Sequence, residues 1–223
     1  MPVAALLLDL DGTLVDSEPC HFRAHEIFLA RHGIAVTQAD LLGNIGKGDP
    51  EFFALLAARH GLDVDLPAWV AAKTEVLLGI YRAAALPCQP GVAALLEHAT
   101  SEGIACCIVT SSERLVAAEA LASAGLAARL PMRICREDTL RHKPDPAPYL
   151  LAASRLGVPP AACLVIEDSV SGVRAAVAAG MPAIGFAGLI PAEHLREAGA
   201  LGTITDHADL VPLARTRAAL AGG

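Results

Sequence analysis

Five short apolar runs punctuate the chain, at residues 3–8, 104–109, 132–135, 163–166 and 183–186. They are rich in Leu, Ile, Val and Cys and lack the strict apolar and polar alternation of a half-exposed strand. Each therefore reads as a strand covered on both faces, the signature of a parallel sheet. Between them lie alanine-rich stretches of helical period, at residues 90–102, 112–124, 146–156 and 171–179, with Gly103, Gly125, Gly157 and Gly180 as C-terminal stops. The alternation predicts an α/β fold, a Rossmann-like three-layer sandwich with a central parallel sheet. One stretch breaks the pattern. Helical periods run through residues 17–32, 49–60 and 66–84 without a clear strand. The chain is thus expected to divide into an α/β domain of residues 1–15 and 86–223 and a small helical domain of residues 16–85. The exits are hinge-like, with Asp16-Ser17-Glu18-Pro19 leading in and Leu86-Pro87-Cys88-Gln89-Pro90-Gly91 leading out. Residues after Thr203, ending in a helix over 209–220, are expected to close the sheet edge.

Composition sharpens this picture. With 54% hydrophobic and 18% charged residues over 223 positions, the chain can bury a substantial core and lacks the bias of a disordered protein. A formal charge of −7 gives no general field for nucleic acid or an anionic lipid surface, so any anionic ligand must be held locally. The six cysteines form no CxxC pair and read as free thiols in a reducing compartment. No basic segment precedes the first apolar run, and Asp9 and Asp11 follow it, so a secretory signal is not expected and the cytoplasm is. Residues 175–192 carry no charge, yet Gly180, Pro182, Gly185, Gly188 and Pro191 cut the stretch into a helix end and a strand. A membrane span is not expected. The absence of a heptad or sticky strand makes a monomer the expected state.

Chemistry gathers where strands end. The first runs into Asp9-Leu10-Asp11-Gly12-Thr13, which places two carboxylates on one side just past the strand, where open parallel sheets bind ligands. Like charges so close need a cation or a shared proton, and a hard divalent ion with oxygen ligands, Mg²⁺ above all, fits. The second strand ends Thr110-Ser111-Ser112, hydroxyls and amides before a helix, equally an anion site or a helix cap. Lys143-Pro144-Asp145-Pro146 presents one lysine on a rigid turn, and the fourth strand ends Glu167-Asp168-Ser169, a second acidic pair with Gly172 and Arg174 in the helix behind.

Taken in order, DLDGT, Thr110, Lys143 before proline, and the acidic pair in VIEDSVSGVRAAVAAGM resemble the motifs of the haloacid dehalogenase-like hydrolase superfamily. The resemblance spans nearly the whole chain, and the insert directly after the first motif is similar to the subgroup with a small helical cap. It implies that Asp9 attacks phosphorus to form an aspartyl-phosphate, and that Asp11 protonates the leaving oxygen and then activates water. It implies Mg²⁺ held by Asp9, the Asp11 carbonyl, Asp168 and Glu167, the last directly or through water, with Thr110, the Ser111 amide and Lys143 on the phosphoryl oxygens. Dehalogenases of this fold lack the second aspartate, so carbon–halogen cleavage fits poorly.

The resemblance also implies a phosphatase acting on a small phosphorylated metabolite, a sugar phosphate or a phosphoglycolate-like ester. The sequence around His21 resembles the start of the cap in β-phosphoglucomutase, which keeps a phosphosugar mutase as the alternative. Glu113 after Ser112 stands where that pattern soon offers a lysine for a second phosphate, and so favours the phosphatase. A catalytically silent binding protein is disfavoured by intact motif positions. The cap is expected to close over the site, with His21, Arg23, Lys47 and Lys73 as substrate-contacting candidates. Of these, Lys73 is expected to face solvent, and His21 could equally be a packing residue.

Overall fold

The computed structural model describes residues 3–42 and 48–211, and the chain divides into two compact units, Met1–Asp16 with Leu86–Gly223 and Ser17–Ala85. In the first, β1 (Ala5–Leu8), β2 (Ala105–Val109), β3 (Arg133–Ile134), β4 (Cys163–Glu167), β5 (Ala183–Phe186) and β6 (Gly202–Ile204) form one parallel sheet in the order β3-β2-β1-β4-β5-β6. Five strands stand where the apolar runs predict them. The sixth, three half-buried residues at the edge, was expected only as an unspecified edge closure, because so short a strand leaves no periodicity to read.

Period 2 divides each strand between two apolar layers. Ala5, Leu7, Cys107, Val109, Cys163 and Val165 share one cluster with Tyr149, Ala152, Val173 and Ala176. The alternate residues Leu6, Leu8, Ile108, Leu164 and Ile166 are equally sealed. Burial on both faces forces the continuous apolar runs seen in the sequence. The covering helices are α5 (Val92–Ser101), α6 (Arg114–Ser123), α7 (Ala147–Leu156), α8 (Val170–Ala178) and the short α9 (Ala192–Glu197). Gly103, Gly125, Gly157 and Gly180 follow α5 to α8 in the left-handed region, which closes each last turn. The uncharged stretch after residue 175 resolves into the end of α8 and then β5, and no helix of the described residues is long and apolar enough to cross a membrane. A 3-10 turn, His207–Leu210, stands where a helix was expected over 209–220; the remainder of that range, beyond residue 211, lies outside the described residues.

The chain leaves and returns to this unit through a paired stem. Val15 bridges Cys88 antiparallel, the Asp16 N–H donates to the Pro87 carbonyl at 2.9 Å and the Gln89 N–H to the Leu14 carbonyl at 2.9 Å.

The second unit holds α1 (Glu18–Arg31), α2 (Gln38–Leu42), α3 (Asp49–His60) and α4 (Leu66–Ala83). Pro19, Pro50 and Pro67 sit in the first turns of α1, α3 and α4, where no intrahelical N–H is needed. Asp65 caps α4 by accepting from the Ala68 N–H at 3.0 Å, and Gly61 closes α3 in the left-handed region. Phe28, Phe53 and Trp69 pack at ring-centre distances of 5.3 to 5.6 Å over Leu29 and Leu56. Four helices too short to stand alone thus share one aromatic core.

Candidate active site

Sheet order places the site. The chain moves from β1 outward to β2 and β3, then returns to the other side of β1 with β4, and the crevice at the carboxyl ends of β1 and β4 is the switch point. Register aligns Leu8 with Ile108 and with Ile166, so Asp9, Val109 and Glu167 occupy the next rung together. Asp9, Glu167 and Asp168 bring carboxylate oxygens within 4.8 Å of one another.

Lys143 closes this group. Its Nζ donates to Asp9 Oδ1 at 2.6 Å, to Glu167 Oε1 at 2.6 Å and to the Val109 carbonyl at 2.8 Å, with 4% of the side chain exposed. All three ammonium protons are committed. The ammonium also lies over the Tyr149 ring, 5.2 Å from its centre, and the Tyr149 hydroxyl donates to Glu167 Oε1 at 3.0 Å. Burial raises the Asp9 carboxyl to about 8; Lys143 opposes this and the neighbouring Glu167 and Asp11 add to it. Burial works against the Lys143 charge, but Asp9 and Glu167 outweigh it and push its pKa well up.

Glu167 carries a full load. Oε1 accepts from Lys143 and Tyr149, and Oε2 from the Ser169 N–H at 2.9 Å and the Ser169 hydroxyl at 2.8 Å. Four donors occupy its four lone-pair positions. Ser169 also caps α8 through the Gly172 N–H, and a Cβ on Gly172 would collide with the Glu167 carboxylate. Asp168 is held from below by the Thr13 hydroxyl at 3.1 Å, while its other oxygen lies against Gly12. Gly12 is required twice over: its φ is +78°, and a side chain there would strike Asp168.

The turn after Asp9 is compact. Leu14 and Val15 donate to the Leu10 carbonyl, and Gly12 to the Val15 carbonyl. The Gln89 side-chain amide, from the returning stem, holds the Gly12 carbonyl at 3.1 Å. On the neighbouring tip, Thr110 is buried and its hydroxyl oxygen accepts from the Ser112 N–H at 3.0 Å, Ser111 is exposed, and the Ser112 hydroxyl donates to Asp11 Oδ2 at 2.6 Å. The helix expected from Ser112 starts two residues later. Glu113 is extended, and the Glu137 carboxylate caps α6 by accepting from the Arg114 N–H at 2.9 and 3.1 Å. The open helix start expected at this tip is therefore partly filled by the protein's own carboxylate.

Asp9, Asp11, Thr110, Ser111, Lys143, Glu167 and Asp168 thus belong to one set of adjoining tips. Tyr149, Ser112, Thr13 and Gln89 join them; Thr13 and Ser112 lie in the strand-tip motifs and Gln89 in the returning hinge, but none was assigned a role from sequence.

The candidates in the helical unit have partners within that unit. Lys73 was expected in solvent, yet its side chain is 1% exposed. Its Nζ donates to Asp49 Oδ2 at 3.0 Å and lies 3.2 Å from His21 Nδ1. With Nδ1 the acceptor, the His21 proton belongs on Nε2, which faces the Tyr81 hydroxyl at 3.3 Å. His25 Nε2 meets the other Asp49 oxygen at 3.0 Å, and its Nδ1 is buried without a partner among the described residues. Burial holds His25 below its usual range. Burial disfavours the Asp49 charge, but His25 and Lys73 outweigh it and hold that carboxyl well below the usual carboxylate range. Arg23 is exposed and pairs with Glu26 at 3.1 Å; Lys47 lies outside the described residues.

A hard divalent cation suits the first set: oxygen donors from Asp9 and Asp168 converge, and the buried Asp9 carboxyl needs positive charge beyond that of Lys143 to ionise fully. Comparison with known proteins agrees with the geometry. The solved structure of CbbY from Rhodobacter sphaeroides in complex with phosphate superposes with a TM-score of 0.80 at 26% identity, over 93% of this chain and 96% of that one. Hexitol phosphatase A of Escherichia coli (strain K12) is 38% identical over 183 residues, 81% of each protein. The CBBY-like protein of Arabidopsis thaliana is 34% identical over 198 residues, 81% of this chain, which spans only 62% of that protein's length. A haloacid dehalogenase-like hydrolase profile matches residues 3–180, and with the acidic tips of β1 and β4 gathered round Lys143 the chain belongs to that family.

Proposed function

We propose that the protein is a Mg²⁺-dependent phosphatase that hydrolyses a small phosphorylated metabolite, a sugar phosphate or phosphoglycolate-like ester, through an aspartyl-phosphate on Asp9. The observation that carries this is the position of Asp9, buried at the sheet's switch point with Lys143 at 2.6 Å and Asp168 beside it. The identity with a hexitol phosphatase supports the same class.

In this reading Asp9 attacks phosphorus in line as the bond to the leaving oxygen breaks, and Asp11 donates its proton to that oxygen. Asp11 then takes a proton from water as the water attacks the aspartyl-phosphate, freeing inorganic phosphate and restoring Asp9. Asp9, the Asp11 carbonyl and Asp168 would hold Mg²⁺, whose charge would let a carboxylate approach a phosphate dianion. Glu167, with its four lone-pair positions engaged, would position Lys143 beside Asp9 and add negative charge next to the ion. Lys143 exchanges one of its carboxylate bonds for a phosphoryl oxygen, joined by Thr110 and the Ser111 amide. His21, Lys47 and Lys73 are candidates for the rest of the substrate, His21 through its Nε2 proton.

The test is Mg²⁺-dependent phosphate release over a panel of sugar phosphates, phosphoglycolate and an aryl phosphate, with Asp9→Asn as control. Release that persists in the variant, or fails throughout, overturns the reading. Accumulation of glucose 6-phosphate from β-glucose 1-phosphate primed with a trace of the bisphosphate would replace the phosphatase with a phosphosugar mutase.

A further inference from the structure

The geometry points to Ser112 as a positioning residue for the acid-base aspartate, an inference that rests on the phosphatase reading above. Its hydroxyl donates to Asp11 Oδ2 at 2.6 Å, the short separation of an O–H···O⁻ bond. Ser112 is itself held twice. Its N–H donates to the Thr110 hydroxyl at 3.0 Å, and its carbonyl accepts from the Arg136 N–H at 3.0 Å, tying it to the segment after β3. The hydroxyl therefore comes from a loop fixed at both faces of its peptide.

A carboxyl acting as an acid must offer its proton from one oxygen in one direction. The Ser112 hydroxyl, donating to Oδ2, holds the Asp11 carboxyl in one plane and so fixes the direction in which that proton is offered. As the phosphorus–oxygen bond breaks, its electron pair stays on the leaving oxygen, which takes the Asp11 proton. The negative charge left on Asp11 is already met by the Ser112 hydroxyl, so no solvent or side-chain rearrangement is needed at that moment. In the second half the same tether orients Asp11 to take a proton from water. The Asp11 backbone is fixed independently by the turn that Gly12, Leu14 and Val15 close, so Ser112 controls the side chain rather than the loop.

This role makes a prediction that phosphate binding or simple loop support does not. Protonation of the leaving oxygen matters little when the leaving group is a weakly basic phenolate and greatly when it is strongly basic. The experiment measures kcat/KM, which reports the first half-reaction, for Ser112→Ala, Ser112→Thr and the unaltered protein over aryl phosphates from dinitrophenyl to phenyl phosphate. The expected loss in Ser112→Ala is about threefold for the first and about thirtyfold for the last, a modest share of what general acid catalysis supplies. Ser112→Thr, which keeps the hydroxyl, is expected to restore most of it, with both variants melting at the same temperature. A loss uniform across the series makes Ser112 a phosphate ligand or a structural residue and overturns the assignment, as does no loss at all. If the unaltered protein hydrolyses no phosphoester, the phosphatase reading itself fails, and this inference falls with it.

Discussion

Two lysines, one in each unit, are almost sealed from solvent, with 4% of the Lys143 side chain and 1% of the Lys73 side chain exposed. Each meets a carboxylate at close range and a second polar partner. They differ in the balance of charge around them. Lys73 faces one carboxylate, Asp49, and the His21 Nδ1 nitrogen, so one positive charge meets one negative charge there. Lys143 faces Asp9 and Glu167 directly, with Asp168 alongside and Asp11 on the adjoining turn, and its nest is short of positive charge. A matched buried pair holds a fold together; an unmatched one waits for a ligand. In the proposed reading this difference in charge balance points to Lys143 as the lysine that meets the phosphoryl group, where exposure and distance do not distinguish it from Lys73.

The largest test of that contrast is activity. Asp9→Asn and Lys143→Met are each expected to lower kcat/KM for phosphate release by about a thousandfold or more. Lys73→Met should act first on stability. If it abolishes turnover while the urea midpoint holds, the contrast breaks and Lys73 joins the substrate residues.

Next in size is Asp49→Ala, which strands Lys73 and His25 and should destabilise the helical unit by about 3 kcal/mol. Trp69, the sole tryptophan, packs in that unit's core, so its fluorescence during urea unfolding reads the loss directly. In a double-mutant cycle Asp49→Ala and Lys73→Met should fall short of additivity.

The two nests should also answer pH in opposite senses. Asp9 is raised from 3.8 to about 8 in the metal-free protein, so its contribution to stability is complete below pH 3.8 and lost as pH rises through 8. Melting followed by circular dichroism in chelator should therefore fall towards alkaline pH, and added Mg²⁺ should restore more at pH 8 than at pH 6. His25 is held below 6.5 and Asp49 below 3.8, so their contributions are present above those values and lost as pH falls. The Trp69 transition should weaken on the acid side. Parallel slopes for both units would refute the assignment of opposite charge balance.

The smallest expected effect is that of Gly172→Ala. Its methyl would press Glu167 away from Ser169 and Lys143, for about 1–3 kcal/mol of strain and a several-fold loss of kcat/KM. No change in either would mean that Glu167 yields freely and does not govern Lys143.

Much of this was legible in the sequence wherever the signal is local. A buried parallel strand is a continuous apolar run, so the tips carrying Asp9, Thr110 and Asp168 could be placed to within a residue. Asp49–His60 emerged with its bounds intact, since Gly48, Pro50 and Gly61 mark both ends. Pairings between side chains distant in sequence were not legible. Lys73 was expected in solvent because a helical period cannot reveal that Asp49, 24 residues earlier, supplies its counter-charge. Tyr149 lies within the helical stretch expected over 146–156, and nothing near it in sequence announces that its hydroxyl reaches Glu167. Ser112 lay inside a quoted motif, but its rotamer towards Asp11 is set by the fold of two separate strand tips.

The paired stem formed by Val15, Asp16, Pro87, Cys88 and Gln89 has a consequence for how such a gene can change. Because the outgoing and incoming backbones are laced together before the intervening residues begin, the sheet does not depend on what is spliced between them. Another sequence of different length could be grafted at that seam while the carboxylate tips kept their register, so recombination could alter the smaller unit and spare the larger.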